Sequence, residues 1–200
     1  MRFLALATAV ATTTALVASP ASAAEAGIDD VFLGIGATNT SANLSWTSTT
    51  PATDQVVEVK GGESVPATID TSDFNGMYGV DAVLTGLTPG KEYIYRVGSD
   101  AAGWYTFTPE ATASEWNFLF YGDPQIGASK GKKDDAALWK TTVEKTVKGN
   151  PGTDFLLNTG DQINADRSAT EEQKEAEYDA FFAPEELRQV RTAVQDGNHD

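Results

Sequence analysis

The 200-residue chain contains no cysteine and one histidine, His199. The absence of cysteine excludes a disulfide framework, thiolate metal sites, a cysteine nucleophile and a thiol for lipid attachment. Positive charge is scarce: 14 Lys and Arg stand against 29 Asp and Glu, a formal net charge of −15. Such a surface repels nucleic-acid phosphates and anionic membranes, so nucleic-acid binding is not expected as a structural role. A phosphate-bearing substrate would have to be drawn by local positive charge, and bound metal ions are one source. Beyond residue 17 no apolar run is long enough to cross a bilayer, so no transmembrane segment is expected.

What the sequence does hold falls into three parts. Met1-Arg2 precedes the apolar run Phe3 to Val17, and Ser19-Pro-Ala-Ser-Ala-Ala24 supplies the small residues of a cleavage site. This predicts a secretory signal peptide over 1–24 and an extracellular protein, whose charge after loss of Arg2 is about −16. A hydrophobic content of 40% allows one or two modest domains with ordinary cores.

Residues 25–109 are rich in Thr, Ser, Gly and Val, with short alternating segments at Asn43–Thr47, Gln55–Lys60, Val80–Leu84, Tyr93–Val97 and Gly103–Thr108. Short strands at this spacing predict an all-β sandwich. Leu87, Pro89 and Tyr93 have the spacing of a tyrosine corner, in which a Tyr hydroxyl ties a strand corner to nearby backbone, and Trp46 is expected in the core. No ligand constellation is evident in this half.

Residues 110–114 read as a polar linker. From 115 the pattern changes to strand, helix, strand, helix, strand. The apolar run Trp116 to Tyr121 ends in Gly122-Asp123. A helix follows from about Asp134 to Lys148, capped by Asp134 or Asp135, with Ala137, Leu138, Val143 and Val147 as its apolar stripe. A second strand, Asp154–Asn158, ends in Thr159-Gly160-Asp161; an acidic helix spans about Thr170–Phe182; and a weaker strand, Arg191–Gln195, leads to Gly197-Asn198-His199-Asp200. A right-handed crossover would make the first two strands parallel neighbours and bring Asp123 and Asp161 to one edge, and strand tips are where sheets with helical crossovers place their chemistry.

Two divalent ions a few ångströms apart need a carboxylate that bridges them and further oxygen or nitrogen ligands around it. Asp161 is the candidate bridge, Asp123 would serve one ion and the amide oxygen of Asn198 the other. A water between the ions would attack phosphorus in line while the ions neutralise the phosphoryl oxygens. His199 would stabilise the transition state or protonate the leaving alkoxide. A lone Gly-Asp after a strand is usually a turn, but Asp123, Asp161 and Asn198 at separations of 38 and 37 residues form a set that turns do not explain. Lys130, Lys132 and Lys133 read as a solvated loop more readily than as a phosphate guide.

Gly122-Asp123-Pro-Gln125, Gly160-Asp161-Gln162 and Gly197-Asn198-His199-Asp200 resemble the first three blocks of the calcineurin-like metallophosphoesterase superfamily. The segment Leu87-Thr-Pro-Gly-Lys-Glu-Tyr-Ile-Tyr-Arg-Val-Gly98 is similar to the fibronectin-like (fibronectin type III-like) N-terminal domain of purple acid phosphatases. The resemblance implies a fibronectin-like sandwich followed by an α/β, mixed-sheet phosphoesterase domain over 115–200. It also implies hydrolysis of phosphate mono- or diesters and two divalent metal ions, Fe, Mn or Zn. Asp123, Asp161 and Asn198 would be metal ligands and His199 the catalytic histidine.

The chain departs from the family pattern at three points. Gln125 stands where many members carry a ligating His, and Asn164 where purple acid phosphatases carry a ligating Tyr; both remain candidate oxygen ligands. The later His-bearing blocks have no counterpart before Asp200. The expectation is therefore a C-terminally truncated piece of a longer secreted phosphoesterase, itself inactive, with one sheet edge and one apolar face uncovered. The alternative is a non-catalytic extracellular binding protein carrying a degenerate phosphoesterase half. Oligomeric state is not legible.

Overall fold

The computed structural model describes residues 27–49, 55–74, 76–98, 103–111 and 115–200; the expected leader, 1–24, and linker residues 112–114 lie outside them. The strands are β1 (Ile28–Ile35), β2 (Ala42–Ser48), β3 (Val56–Val59), β4 (Val65–Pro66), β5 (Thr68–Phe74), β6 (Met77–Leu84), β7 (Tyr93–Val97), β8 (Tyr105–Phe107), β9 (Phe118–Tyr121), β10 (Phe155–Asn158) and β11 (Thr192–Val194). Helix α1 (Asp135–Gly149) lies between β9 and β10; α2 (Glu171–Phe182) and a 3₁₀ turn, Glu185–Arg188, precede β11.

Two sheets result. A four-stranded antiparallel sheet runs β4-β3-β7-β8, and a seven-stranded mixed sheet runs β5-β6-β2-β1-β11-β10-β9. The first eight strands form a β-sandwich, and an α/β unit follows it. Alternation drives the sandwich: Ala42, Leu44, Trp46 and Ser48 are the buried positions of β2, and the first three share a core with Val57, Tyr95, Val97 and Phe107 from the facing sheet. Trp46 is core as expected, and its indole N–H donates to Gln55 Oε1 at 2.6 Å, which satisfies a buried amide that also donates to Ser48 Oγ. The tyrosine corner forms as well: the Thr88 N–H donates to the Tyr93 hydroxyl at 2.8 Å, with Leu87 buried beside it.

β1, absent from the expected strands, joins the two units. Its burial does not alternate, because Val31, Phe32 and Leu33 are all buried. Val31 and Leu33 enter the sandwich core, whereas Phe32 enters a second core with Tyr121, Trp139, Val143, Leu156, Phe181 and Leu187. A strand covered on both faces reads as a continuous apolar run, which periodicity does not distinguish from other buried segments. β1 pairs antiparallel with β2 and parallel with β11, so one sheet runs through both units. Arg191, almost fully buried, fastens the junction by an ion pair to Glu110 and a 3.0 Å hydrogen bond to the Ser41 carbonyl.

β9 and β10 are parallel neighbours, as expected, and β11 pairs parallel with the other side of β10. Asp134 caps α1 through the Ala137 N–H, and Thr170 caps α2 in a capping box with Gln173. The expected stripe on α1 holds at Val143 and Val147 and fails at Ala137 and Leu138, which are exposed. Trp139 and Val143, with Val147 beside them, make the buried row, and Leu138 is 53% exposed. One residue along a helix turns a side chain by about 100°, so anchoring on Trp139 sends Leu138 to solvent. The other face of β9 is bare among the described residues: Phe118 and Phe120 are 51% and 61% exposed.

Candidate functional site

The three parallel strands end side by side, and the loops after them are bound to one another through the backbone. The Gln125 N–H donates to the Asp161 carbonyl at 2.8 Å and the Ile126 N–H to the Gln162 carbonyl at 3.1 Å; the Asn164 N–H returns to the Ile126 carbonyl at 2.9 Å. Ile126 and Ile163, both buried, form a parallel bridge at the centre of this contact. The third loop packs on the second where both carry glycine. A Cβ on Gly160 (φ +101°) would stand 2.6 Å from the Gly197 nitrogen, closer than real side chains approach. Glycine is needed at 160 for the approach and for the left-handed backbone alike.

Five non-glycine residues in the first two loops hold a positive φ: Asp123 and Gln125 at 39°, Lys130 at 52°, Asp161 at 50° and Ala165 at 37°. Each costs of order 1 kcal/mol, and such clusters persist only where surrounding contacts over-determine the chain. Here the Asp200 carboxylate accepts the N–H groups of Asp161, Gln162 and Gly197 at 2.7, 2.8 and 2.6 Å. The His199 N–H donates to Asp161 Oδ1 at 3.0 Å. Beneath them, Asn158 Oδ1 accepts from the Gly160 N–H and from Gln162 Nε2, which also donates to the Gln195 carbonyl; both amides are buried.

The candidate residues thus share one edge. Asp161 and His199 are in direct contact, and Gln125 Nε2 stands 3.5 Å from Asp161 Oδ2, at the outer limit of a hydrogen bond. Asp123 and Asn198 are exposed at the tips beside them. Asn164 meets His199 through its main chain: its carbonyl lies 2.5 Å from His199 Nδ1. A carbonyl only accepts, so Nδ1 carries the proton and Nε2 is left for other work. Lys130 is engaged elsewhere, in a 2.9 Å ion pair that, with the Ser168 bonds, holds the Asp166 carboxyl at about 2. The edge is negative: burial first, then the charges of Asp200 and Asp196, push the Tyr178 phenol up.

The donor set of Asp123, Asp161 and the Asn198 amide suits a hard or borderline divalent cation by its oxygens. Among the described residues no three His, Cys, Asp or Glu side chains stand together as a metal cage, and the His199 ring is turned through Nδ1 to a carbonyl. The residues present therefore fit the oxygen-donating side of a metal site, and do not by themselves fit a full dinuclear centre. Sequence reasoning missed Asp200 as a clamp, the Asn158–Gln162 pair beneath the loop, and Glu177 of α2, whose carboxylate accepts from the Asn164 and Ala165 N–H groups. Asp200 was visible within its motif; nothing in an acidic helix singles out Glu177.

Residues 28–112 match the family described as the N-terminal domain of purple acid phosphatase. The fold is similar to the structure of a purple acid phosphatase isolated from yellow lupin (Lupinus luteus) seeds, with a TM-score of 0.64 at 19% identity over 87% of this chain. The chain spans 36% of the length of that structure. No curated protein matches the sequence.

Proposed function

Because the chain is purple-acid-phosphatase-like, with the N-terminal domain of that family over residues 28–112, we propose that it belongs to a secreted, metal-dependent phosphoesterase hydrolysing phosphate mono- or diesters outside the cell. In this reading the sandwich covers 25–109 and the phosphoesterase unit begins at 115 after a short linker. One observation supports the reading above the others. Three parallel strand tips bring Asp123, Asp161 and Asn198-His199 to a single edge, on backbone held in left-handed conformations at Asp123 and Asp161.

Asp123, Asp161 and the Asn198 amide oxygen would supply oxygen ligands to the metal site, with Gln125 and Asn164 flanking. Fe, Mn or Zn ions bound there would polarise phosphoryl oxygens and lower the pKa of a water. With Nδ1 bonded to the Asn164 carbonyl, Nε2 of the neutral His199 ring accepts a proton, and only the imidazolium form would deliver one to a leaving alkoxide or give a hydrogen bond to a phosphoryl oxygen. The Asp200 clamp holds the Asp161 backbone and the His199 N–H holds Asp161 Oδ1, so the carboxylate is oriented before substrate arrives.

A second reading, an extracellular binding module on a degenerate phosphoesterase scaffold, is favoured by the absence of a three-residue metal cage among the described residues. The two part in an assay of the secreted protein on an aryl phosphate and a bis-aryl phosphate with Mn²⁺, Zn²⁺ or Fe. Metal-dependent turnover that falls at least about 100-fold in Asp161→Asn supports the phosphoesterase. Equal rates in both proteins, or none with any metal, would sink it.

A further inference from the structure

We propose that Glu177, on α2 and outside all three strand-tip loops, is the positioning residue that sets the tautomer and direction of the His199 ring. Glu177 Oε2 accepts the Ala165 N–H at 3.1 Å and the Asn164 N–H at 3.2 Å. The Ala165 N–H and the Asn164 carbonyl belong to one trans peptide unit and point in opposite directions. A carboxylate holding the N–H on one side therefore aims the carbonyl to the other, and there His199 Nδ1 lies 2.5 Å from it.

Two further features make Glu177 the determinant. The Asn164 N–H is shared with the Ile126 carbonyl, which fixes the preceding peptide but leaves the Asn164–Ala165 unit free to rotate. Ala165 has φ +37°, a conformation that a non-glycine residue holds only when something outside the loop maintains it. The other oxygen of Glu177, Oε1, is seated over Gly127 so closely that any Cβ there would displace it, so the carboxylate packs against the first loop as well. A charged acceptor on the N–H also polarises the peptide and makes its carbonyl a stronger acceptor for Nδ1–H.

The chain formed by Glu177, the 164–165 peptide and His199 leaves Nε2 as the unprotonated nitrogen of the neutral ring. The use of Nε2 rests on the phosphoesterase reading; the placement of the ring does not. His199 is the single histidine, so ¹⁵N-histidine labelling gives one imidazole to read without assignment. The spectrum is recorded without metal or substrate at about pH 8.5, where imidazole is neutral.

Wild type is expected to show Nδ1 as the protonated nitrogen. Glu177→Gln, which keeps an acceptor oxygen, should retain that pattern. Glu177→Ala should lose it, with the proton signal moving to Nε2. The Trp139 indole N–H, bonded to the Phe181 carbonyl at 2.9 Å, reports in the same samples whether α2 stays docked. If the Ala variant undocks α2, Glu177→Asp, one methylene too short to reach both N–H groups, replaces it and is expected to show the same loss. A wild-type ring protonated at Nε2, or an Nδ1–H pattern unchanged in a docked Ala or Asp variant, would overturn the proposal. Neither result bears on whether the edge hydrolyses phosphate esters, which the assay above decides separately.

Discussion

Asp30 offers a stability test that turns on one atom pair. It sits in a bulge of β1, where the register against β2 slips by one residue between Asp29 and Phe32, and its φ is +53°. Burial, then the charges of Asp179 and Asp29, push its carboxyl from 3.8 to about 6; a bond from Thr47 Oγ1 and the Arg188 charge oppose this only in part. Between those two values the folded protein binds a proton that the unfolded chain has released. The contribution is therefore stabilising below about pH 4 and is lost as pH rises through 6. Two units correspond to about 3 kcal/mol, and solvent screening of a partly exposed group reduces this to about 1–2 kcal/mol. Asn has nearly the same shape, tolerates a left-handed φ and keeps an oxygen for Thr47, so Asp30→Asn removes the charge and little else. The variant should match wild type near pH 4 and melt roughly 3–6 °C higher near pH 7.5 by circular dichroism. Parallel melting profiles across this range, or a lower melting temperature at neutral pH, would refute the reasoning.

Arg191→Leu leaves Glu110 buried without its partner and should cost about 3–5 kcal/mol in urea unfolding, much of which the double variant with Glu110→Leu recovers. Equal losses in the single and double variants would show that the pair does not fasten the junction. Gly160→Ala forces the second and third loops apart and should cost at least about 2 kcal/mol, with faster hydrogen exchange at Gly197 and His199. Phe118→Ser with Phe120→Ser removes apolar surface that is already exposed; binding of a hydrophobic dye and concentration-dependent association should fall while the melting temperature changes little.

Where a segment faced one core, its sequence told its structure. β2, β7 and the Tyr93 corner alternate cleanly, and Thr170-Glu-Glu-Gln173 announces the start of α2. β1 was not legible, because Val31-Phe32-Leu33 is buried between two cores and carries no period. Leu138 and Trp139 are equally apolar, and only packing against Phe181 decides which faces inward. At the strand tips the residue types signalled chemistry, and the backbone bond from His199 to Asp161 Oδ1 is a contact that spacing did not foretell. The supports of those residues were hidden for a different reason. Glu177 and Asn158 act through backbone hydrogen bonds, which leave no mark in residue spacing. The ring direction of His199 follows from a peptide plane, which no side-chain pattern encodes.

The proposed site holds a divalent cation between the three tips. Adding Mn²⁺ to the protein and following the His199 ring signals tests it most directly, since a paramagnetic ion near that edge broadens nearby resonances. Loss of the His199 signals well below one equivalent of Mn²⁺, with the Trp46 indole signal of the sandwich core unaffected and no loss in Asp161→Asn, is the expected result. Broadening that is absent, or the same with and without the Asp161 carboxylate, would contradict the account.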